Sequence, residues 1–429
     1  MDLEPLEPFE ASIPATGIWR ALRHRNFRLY FIGQLVSLTG TWSQMLAVSW
    51  LVWRLTGSAF WLGFVGFTTQ LPMLILGLPG GAFADRYDRL RAFRILETLC
   101  MIEAALLAWL TMTGRIELWQ VIALSAGVGV IYAFEFPVRQ ALVMDLAGRR
   151  DLMNAISLSS AVFHVSRMIG PIAAGLIVER MGEGPCFLLN AATFLFLIAL
   201  LFMIDRRKML KAEISTESVM RSIALGLKHT WSAPRLRLAL AITALMAGVG
   251  LQYTTLMPIF ADDVFAGGAR TLGWLMGGSG LGSLAGCLWL AKRENSDGLL
   301  KLAAISAVVF SVGLVAFSRV NNFMLALGIM SVLGFCLALV FSGMNTLLQH
   351  ESPNELRGRV MSLYTTTFMG VAPFGSLAAG SLARALGAPL TLTAAGFLCI
   401  IGSILILIRA RHDDFSKKSG TTRHVLKKT

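Results

Sequence analysis

Apolar stretches of about 20 residues recur along the whole chain, each closed by a short run of Gly, Pro, Asp, Arg or Lys, and that is the length a helix needs to cross a bilayer. Twelve such spans are predicted: 27–54, 60–84, 92–113, 119–143, 153–178 and 185–204, then 238–261, 271–291, 299–318, 323–348, 360–383 and 388–409. The one long polar break carries Arg206, Arg207, Lys208, Lys211, Arg221, Lys228 and Arg235 and divides the spans into two sets of six. The expected organisation is an arm (1–26), a six-helix half (27–204), a central loop (205–237), a second six-helix half (238–409) and a basic tail (410–429). The fold class is therefore all-α and polytopic.

Composition closes off the alternatives. Of 429 residues, 55% are hydrophobic and 15% charged, with a mean hydropathy of +0.66, and so few charges cannot clothe a soluble surface. The net charge of +13 would in a soluble chain raise the question of nucleic acid. Here the basic residues punctuate the spans instead of forming a stripe, and no nucleic-acid partner is expected. With both termini on one side, 30 of the 38 Lys and Arg residues fall on that side, which makes it the cytoplasmic one. No apolar run precedes Phe27, so no cleavable signal peptide is expected. Cys100, Cys186, Cys287, Cys336 and Cys399 all lie within apolar runs without a CxxC pair and read as small buried hydrophobes. The run Gly277-Gly278-Ser279-Gly280-Leu281-Gly282 lacks the GK[ST] ending of a phosphate loop, and neither HExxH nor GxSxG occurs. No metal, cofactor or enzymatic activity is expected, and any energy for transport must come from a gradient.

The halves carry traces of duplication. Span 5 has Ile156-Ser157-Leu158 followed by Gly170-Pro171-Ile172-Ala173-Ala174-Gly175, and span 11 has Met361-Ser362-Leu363 followed by Gly375-Ser376-Leu377-Ala378-Ala379-Gly380, with equal spacing. Duplicated halves are a common plan for secondary transporters.

The break after span 2 reads Gly80-Gly81-Ala82-Phe83-Ala84-Asp85-Arg86-Tyr87-Asp88-Arg89-Leu90-Arg91. It resembles the signature loop of the major facilitator superfamily, G-x-x-x-D-R-x-G-R-[KR]-[KR], with Asp88 and Leu90 as departures. The resemblance implies that Gly81, Asp85, Arg86, Arg89 and Arg91 form a gate: Asp85 caps the N-terminus of span 11, the arginines form charge pairs, and both break when the cytoplasmic side opens. Ser166, Gly170, Pro171 and Gly175 in span 5 are similar to the antiporter motif G-x-x-x-G-P-x-x-G-G of drug and proton exchangers, with Ser and Ala replacing two glycines. What this implies is a tight, bendable seam that favours export. Further segments resemble the drug and siderophore exporter branch that holds the enterobactin exporter and macrolide efflux proteins. They are Phe27-Arg28, Gly33-Gln34 and Thr41-Trp42-Ser43-Gln44 in span 1, Glu135-Phe136-Pro137-Val138-Arg139-Gln140 in span 4, and Glu355-Leu356-Arg357-Gly358-Arg359 before span 11. The resemblance runs from about Phe27 to Ile408 and implies the major facilitator fold of twelve helices in two pseudo-symmetric halves.

Ionisable groups inside spans cost several kcal/mol by most scales and need a reason to be there. Glu135, Arg139, His164 and Arg167 are the candidates for proton coupling: Glu135 has Arg139 one turn away or Arg167 on the neighbouring span as a partner, and exchanging that partner for a proton would couple transport. A permanent structural ion pair is the alternative, and a hydrogen-bonded packing role is the alternative for His164. Glu103 is read as locally satisfied, and Glu97, Asp145 and Asp151 as cytoplasmic edge residues. A central cavity between the halves would be lined by Trp42, Gln44, Tyr132, Phe134, Gln252, Tyr253, Phe341 and Asn345, although aromatics at helical spacing also serve plain packing. The expected activity is proton-coupled export of a small amphipathic molecule, a siderophore or drug, by a monomer in a bacterial inner membrane with both termini cytoplasmic. An importer or uniporter of the same fold and a transport-dead sensor are the competing readings.

Overall fold

A computed structural model describes residues 19–206, 230–231, 233–293, 298–353 and 356–425, the side chains of Arg149 and of 411–425 excepted. Most of the expected arm and central loop, the last four residues of the tail, and Glu355 lie outside the described residues. Among the described residues, a 3-10 turn, Arg20–Arg23, leads into twelve long helices. In the first half they are α1 (Arg25–Thr56), α2 (Ala59–Arg86), α3 (Arg89–Met112), α4 (Leu118–Gly148), α5 (Arg150–Met181) and α6 (Gly184–Phe202). In the second they are α7 (Pro234–Val264), α8 (Gly268–Ala291), α9 (Leu299–Phe317), α10 (Phe323–Glu351), α11 (Arg357–Leu386) and α12 (Ala388–Val425). Eleven are long and apolar enough to cross a membrane; α11 is long enough but dilutes its apolar residues with serine, threonine, glycine and three arginines.

Helix ends follow local chemistry. Asp88 caps α3 by accepting from the Arg91 backbone N–H at 2.8 Å, which explains an acid where the signature loop has glycine. Asn322 caps α10 in the same way through Leu325. Helices α4 and α5 follow one another without a loop, because Gly148 at φ 75° breaks the helix in a conformation that a side chain resists.

The burial pattern is that of a lipid-dissolved bundle. Ile95, Ile102 and Trp109 on α3, Leu188 and Leu195 on α6, Val309 and Val312 on α9, and Leu398, Ile401 and Leu405 on α12 are exposed, and these four helices form the outside. Polar side chains point inward and find partners there, since lipid offers none. Helix α7 shows the rule: it unwinds into a 3-10 turn at Gly250–Gln252, and the Gln252 amide donates to the Ala247 carbonyl at 2.7 Å and the Ala372 carbonyl of α11 at 3.2 Å.

Lipid removes the hydrophobic drive for helices to associate, so close backbone approach at small residues does that work. Between the halves, α2 meets α11 and α5 meets α8. A Cβ on Gly380 would stand 2.6 Å from the Ala59 carbonyl and 2.8 Å from the Gly63 Cα, and one on Gly175 would stand 2.7 Å from the Ala269 carbonyl. Within the second half, a Cβ on Gly334 would collide with the Ser279 carbonyl. We expect Gly334→Leu to destabilise the protein by roughly 2–3 kcal/mol through overpacking. Gly127→Leu, where nothing lies within 4 Å of the added Cβ, should be neutral. The loss of monodisperse protein on heating in detergent reads the difference, and equal melting of the two variants would refute this packing account.

Candidate functional site

The loop between α2 and α3 is organised by Arg89. Its side chain is 7% exposed, donates from Nε to the Ala84 carbonyl at 3.2 Å and from a terminal nitrogen to Asp145 at 2.9 Å. Arg89 thus ties the α2–α3 turn to the end of α4 inside one half, and Asp145, which sequence reasoning set aside as an edge residue, is its anchor. Asp85 is 49% exposed and lies 3.9 Å from Arg89, while Arg86 and Arg91 are exposed and Gly81 has open space around it. Among the described residues, Asp85 has Arg89 as its neighbour, and no bond joins it to α11 in this conformation.

The reason is visible along the helix faces that join the halves. On α2, Gly63, Gly66, Phe67 and Leu74 touch Gly380, Ser376, Phe374 and Gly370 of α11 in turn. The same face then continues through Gly77 and Gly81, whose Cβ positions meet nothing within 4 Å, to Asp85. On α5, Gly175 and Pro171 contact Ala269 and Gly273 of α8, Met168 contacts Gly280, and His164 bonds to Ser283 and Cys287, each at 3.0 Å. Beyond His164, Ser160 and Ser157 are exposed. At the tight end, the Trp53 indole donates to Asp262 at 2.8 Å and Arg270 lies 3.9 Å from Glu179. The halves are therefore closed at the end bearing the α1–α2 and α7–α8 connections and diverge at the opposite end, which bears the basic loops.

The antiporter-like motif divides its work between two seams. The Ser166 hydroxyl accepts from Thr39 at 3.1 Å and donates to the Leu35 carbonyl at 3.3 Å, and Ser43 donates to the Gly170 carbonyl at 2.9 Å, all toward α1. Pro171 and Gly175 face α8 across the interface.

The four expected coupling residues separate into two places. Glu135 faces Arg139, not Arg167; Oε1 lies 3.3 Å from the Arg139 Nε, close enough for attraction but without an aligned hydrogen bond. Glu97 on α3 is 4% exposed, its Oε2 has no hydrogen-bond partner, and its charge acts on both Glu135 and Arg139. Arg139 is paired with Glu135, and Glu97 lies within electrostatic range of both, with Tyr30 of α1, Cys100 of α3 and Tyr132 of α4 around them. Sequence reasoning missed Glu97 because it lies close to the predicted start of span 3. The signal available was a second acid one turn inside an apolar run. Arg167 lies elsewhere, its Cζ 5.6 Å from the centre of the Trp42 ring, and His164 bridges the halves.

Three expected cavity residues are spoken for. Gln44 turns to the outer side of α1, donating to Glu103 at 2.8 Å and accepting from Asn190 at 2.8 Å, so the pair of outer helices satisfies it and Glu103 together. Gln252 closes the break in α7, as described above. Tyr253 is fully buried, its hydroxyl 2.8 Å from Ser279 and its ring against Phe310. These are corrections: an apolar helix must satisfy its polar groups, and packing between helices did so before any cavity could. Trp42, Tyr132, Phe134, Phe341 and Asn345 stay partly open. Phe134 stacks edge-on with Phe83 and Phe341 with Phe368, and Asn345 accepts from Gln349 at 2.6 Å.

Comparison with known proteins agrees with this architecture. The chain is 26% identical over 378 residues to the staphyloferrin A transporter of Staphylococcus aureus, covering 87% of this chain and 94% of the relative. It is 27% identical over 404 residues to the multidrug efflux pump Tap of Mycolicibacterium fortuitum, covering 91% and 97%. Its fold matches a bacterial homologue of the human lysosomal transporter Spinster, in an inward-facing and occupied conformation, with a TM-score of 0.71 at 11% identity over 91% of this chain and 97% of that one. The protein is a multi-span membrane transporter and not an enzyme. Residues 16–425 match the family described as transmembrane secretion effector, and with the twelve-helix fold in place the chain belongs to that family of major facilitator transporters.

Proposed function

We propose that the protein exports a small amphipathic molecule, a siderophore or drug, across a bacterial inner membrane in exchange for protons, as a monomer with both termini cytoplasmic. The observation that carries this reading is the buried group of Glu97, Glu135 and Arg139, in which the guanidinium pairs with Glu135 and an oxygen of the nearby Glu97 has no hydrogen-bond partner. A carboxylate deprived of a full partner in a dry site binds a proton more readily than one in water, and a shift of Arg139 between the two acids changes which is deprived. Proton uptake and release then follow the conformation of the first half. The excess of basic residues at the divergent end makes that end cytoplasmic, so the conformation described is open inward. The direction of transport is supported by the antiporter-like span 5 and by the efflux activity in the name of one relative.

Closing the cytoplasmic end brings α2 back toward α11, and Asp85 is the residue whose charge then meets the N-terminus of α11. A carboxylate there contributes roughly 0.3–1 kcal/mol, so Asp85→Asn should shift the balance of states toward inward-open by about two- to fivefold. Disulfide formation between cysteines placed at Gly81 and Gly358 reads that balance, and an unchanged yield on adding Asp85→Asn would refute the latch.

Coupling is tested in inverted vesicles energised by respiration, with ethidium and a hydroxycarboxylate siderophore as probes. Flux should collapse with a protonophore. Glu135→Gln and Glu97→Gln should each lower proton-driven flux at least tenfold while leaving exchange driven by a substrate gradient. Wild-type flux indifferent to the protonophore would exclude proton coupling, and no flux of any probe would favour the sensor reading.

A further inference from the structure

Arg167 is the eighteenth of the 32 residues of α5, which puts it near the middle of the bilayer. A guanidinium stays charged under all ordinary conditions, and a charge at that depth normally has a fixed partner. Among the described residues no carboxylate pairs with it: Glu135 faces Arg139, Glu103 is bonded to Gln44, and Glu179 lies near Arg270 at the closed end. What Arg167 does have is the Trp42 ring at 5.6 Å, a ring that also meets Phe163 edge-on at 5.5 Å. A cation against the face of an indole is held in place and partly compensated, but its charge is not neutralised.

The surroundings lead outward from this point. Phe163, Ser160 and Ile156 repeat at helical spacing on the same side of α5 as Arg167, are exposed, and run toward the open end. On the other side the way is shut, where Gly170 packs on Trp42 and Thr39, and Gly175 on Ala269. Arg167 therefore stands at the inner end of the vestibule, directly below the closed seam. His164, one turn nearer the opening, already uses both ring nitrogens on Ser283 and Cys287 and supplies no negative charge.

We infer that Arg167 and Trp42 form a binding corner for an oxyanion carried on a planar aromatic group, and that the cargo itself brings the missing negative charge. The guanidinium presents paired N–H donors in a fork that matches two neighbouring oxygens, as in a carboxylate or a catecholate. The Trp42 and Phe163 rings beside it give an aromatic ring something to stack on. The same arrangement rejects organic cations, which meet an uncompensated positive charge at the innermost point of the path. This deepens the exporter reading and rests on it for the word cargo; the binding corner stands on the geometry alone.

The test is calorimetric binding to the full chain in detergent, with 2-naphthoate as the carboxylate arm, 2,3-dihydroxynaphthalene as the catechol arm and 2-naphthamide as the neutral control. At least one of the first two should bind tenfold or more tightly than the amide in the wild type, and the arm that does so names the oxyanion. Arg167→Gln should erase that preference. Arg167→Lys, which keeps the charge and loses the fork, should reduce it several-fold and decides the matter if the glutamine variant does not fold. Equal binding of all three probes, or an undiminished preference in Arg167→Lys together with Arg167→Gln, would overturn the assignment. Proton-driven flux of whichever naphthalene probe binds is measured in parallel in inverted vesicles: its absence with oxyanion binding intact would fault the exporter reading and leave the corner standing.

Discussion

Backbone touching backbone at glycine is the contact on which this molecule depends. In lipid, apolar side chains gain nothing by leaving one hydrocarbon for another, so two six-helix halves have no general reason to adhere. They adhere where Gly63 lies on Gly380 and Gly175 on Gly273, because removing the side chains lets dispersion and carbonyl contacts act at short range. Such seams are narrow and strictly geometric. They hold at one end of the interface and lapse at the other, where Gly77 and Gly81 face open space, and this makes the two halves a hinge instead of a single core.

The second constraint sorts the buried polar groups. Gln44, Glu103 and Asn190 complete one another across α1, α3 and α6; Arg89 and Asp145 complete one another at the basic end; Gln252 completes the broken backbone of α7. Each closed set is structural, since a group with its partners made has nothing left to offer a proton or a ligand. Among the groups left open within the spans are an acid oxygen on Glu97, another on Glu135, and the charge of Arg167. In a medium that penalises such remainders, they are where chemistry has been left available.

Span number, halves and basic sidedness were legible because lipid imposes length and composition on every helix separately. The signature-loop residues were legible as a motif but their contacts were not: Asp85 lies beside Arg89 at the open end of the interface. The cavity residues were the least legible. Polarity identified Gln44 and Gln252 as residues needing partners, but not whether a cavity or a neighbouring helix would supply them, and that depends on rotation about each helix axis. Hydropathy also undervalued α11, whose serines and threonines are tolerable because α2, α7 and α12 pack around it. Glu97 escaped notice for a related reason: α3 begins at Arg89, earlier than the apolar run, so a residue counted at the rim lies well inside.

The two open sites are separate, and the proposed mechanism has to join them. The carboxylate pair lies on α3 and α4 and is flanked by Tyr30 of α1, whereas the Arg167 corner combines α5 with Trp42 of the same α1. Helix α1 is common to both, and α4 connects to α5 through the single left-handed residue Gly148. In the proposed mechanism, movement of Arg139 from Glu135 toward Glu97 would alter the packing of α4 against α1. With Gly148 as pivot and α1 as shared wall, such a change would reach the seat of Arg167 and the seam on α8. Among the described residues, the buried acids and bases at mid-membrane depth lie on α3 to α5, and α8 contributes Ser283 and Cys287 to the contact with His164. Coupling of this kind needs no wire of hydrogen bonds between proton and cargo, only two helices that both sites require in the same position.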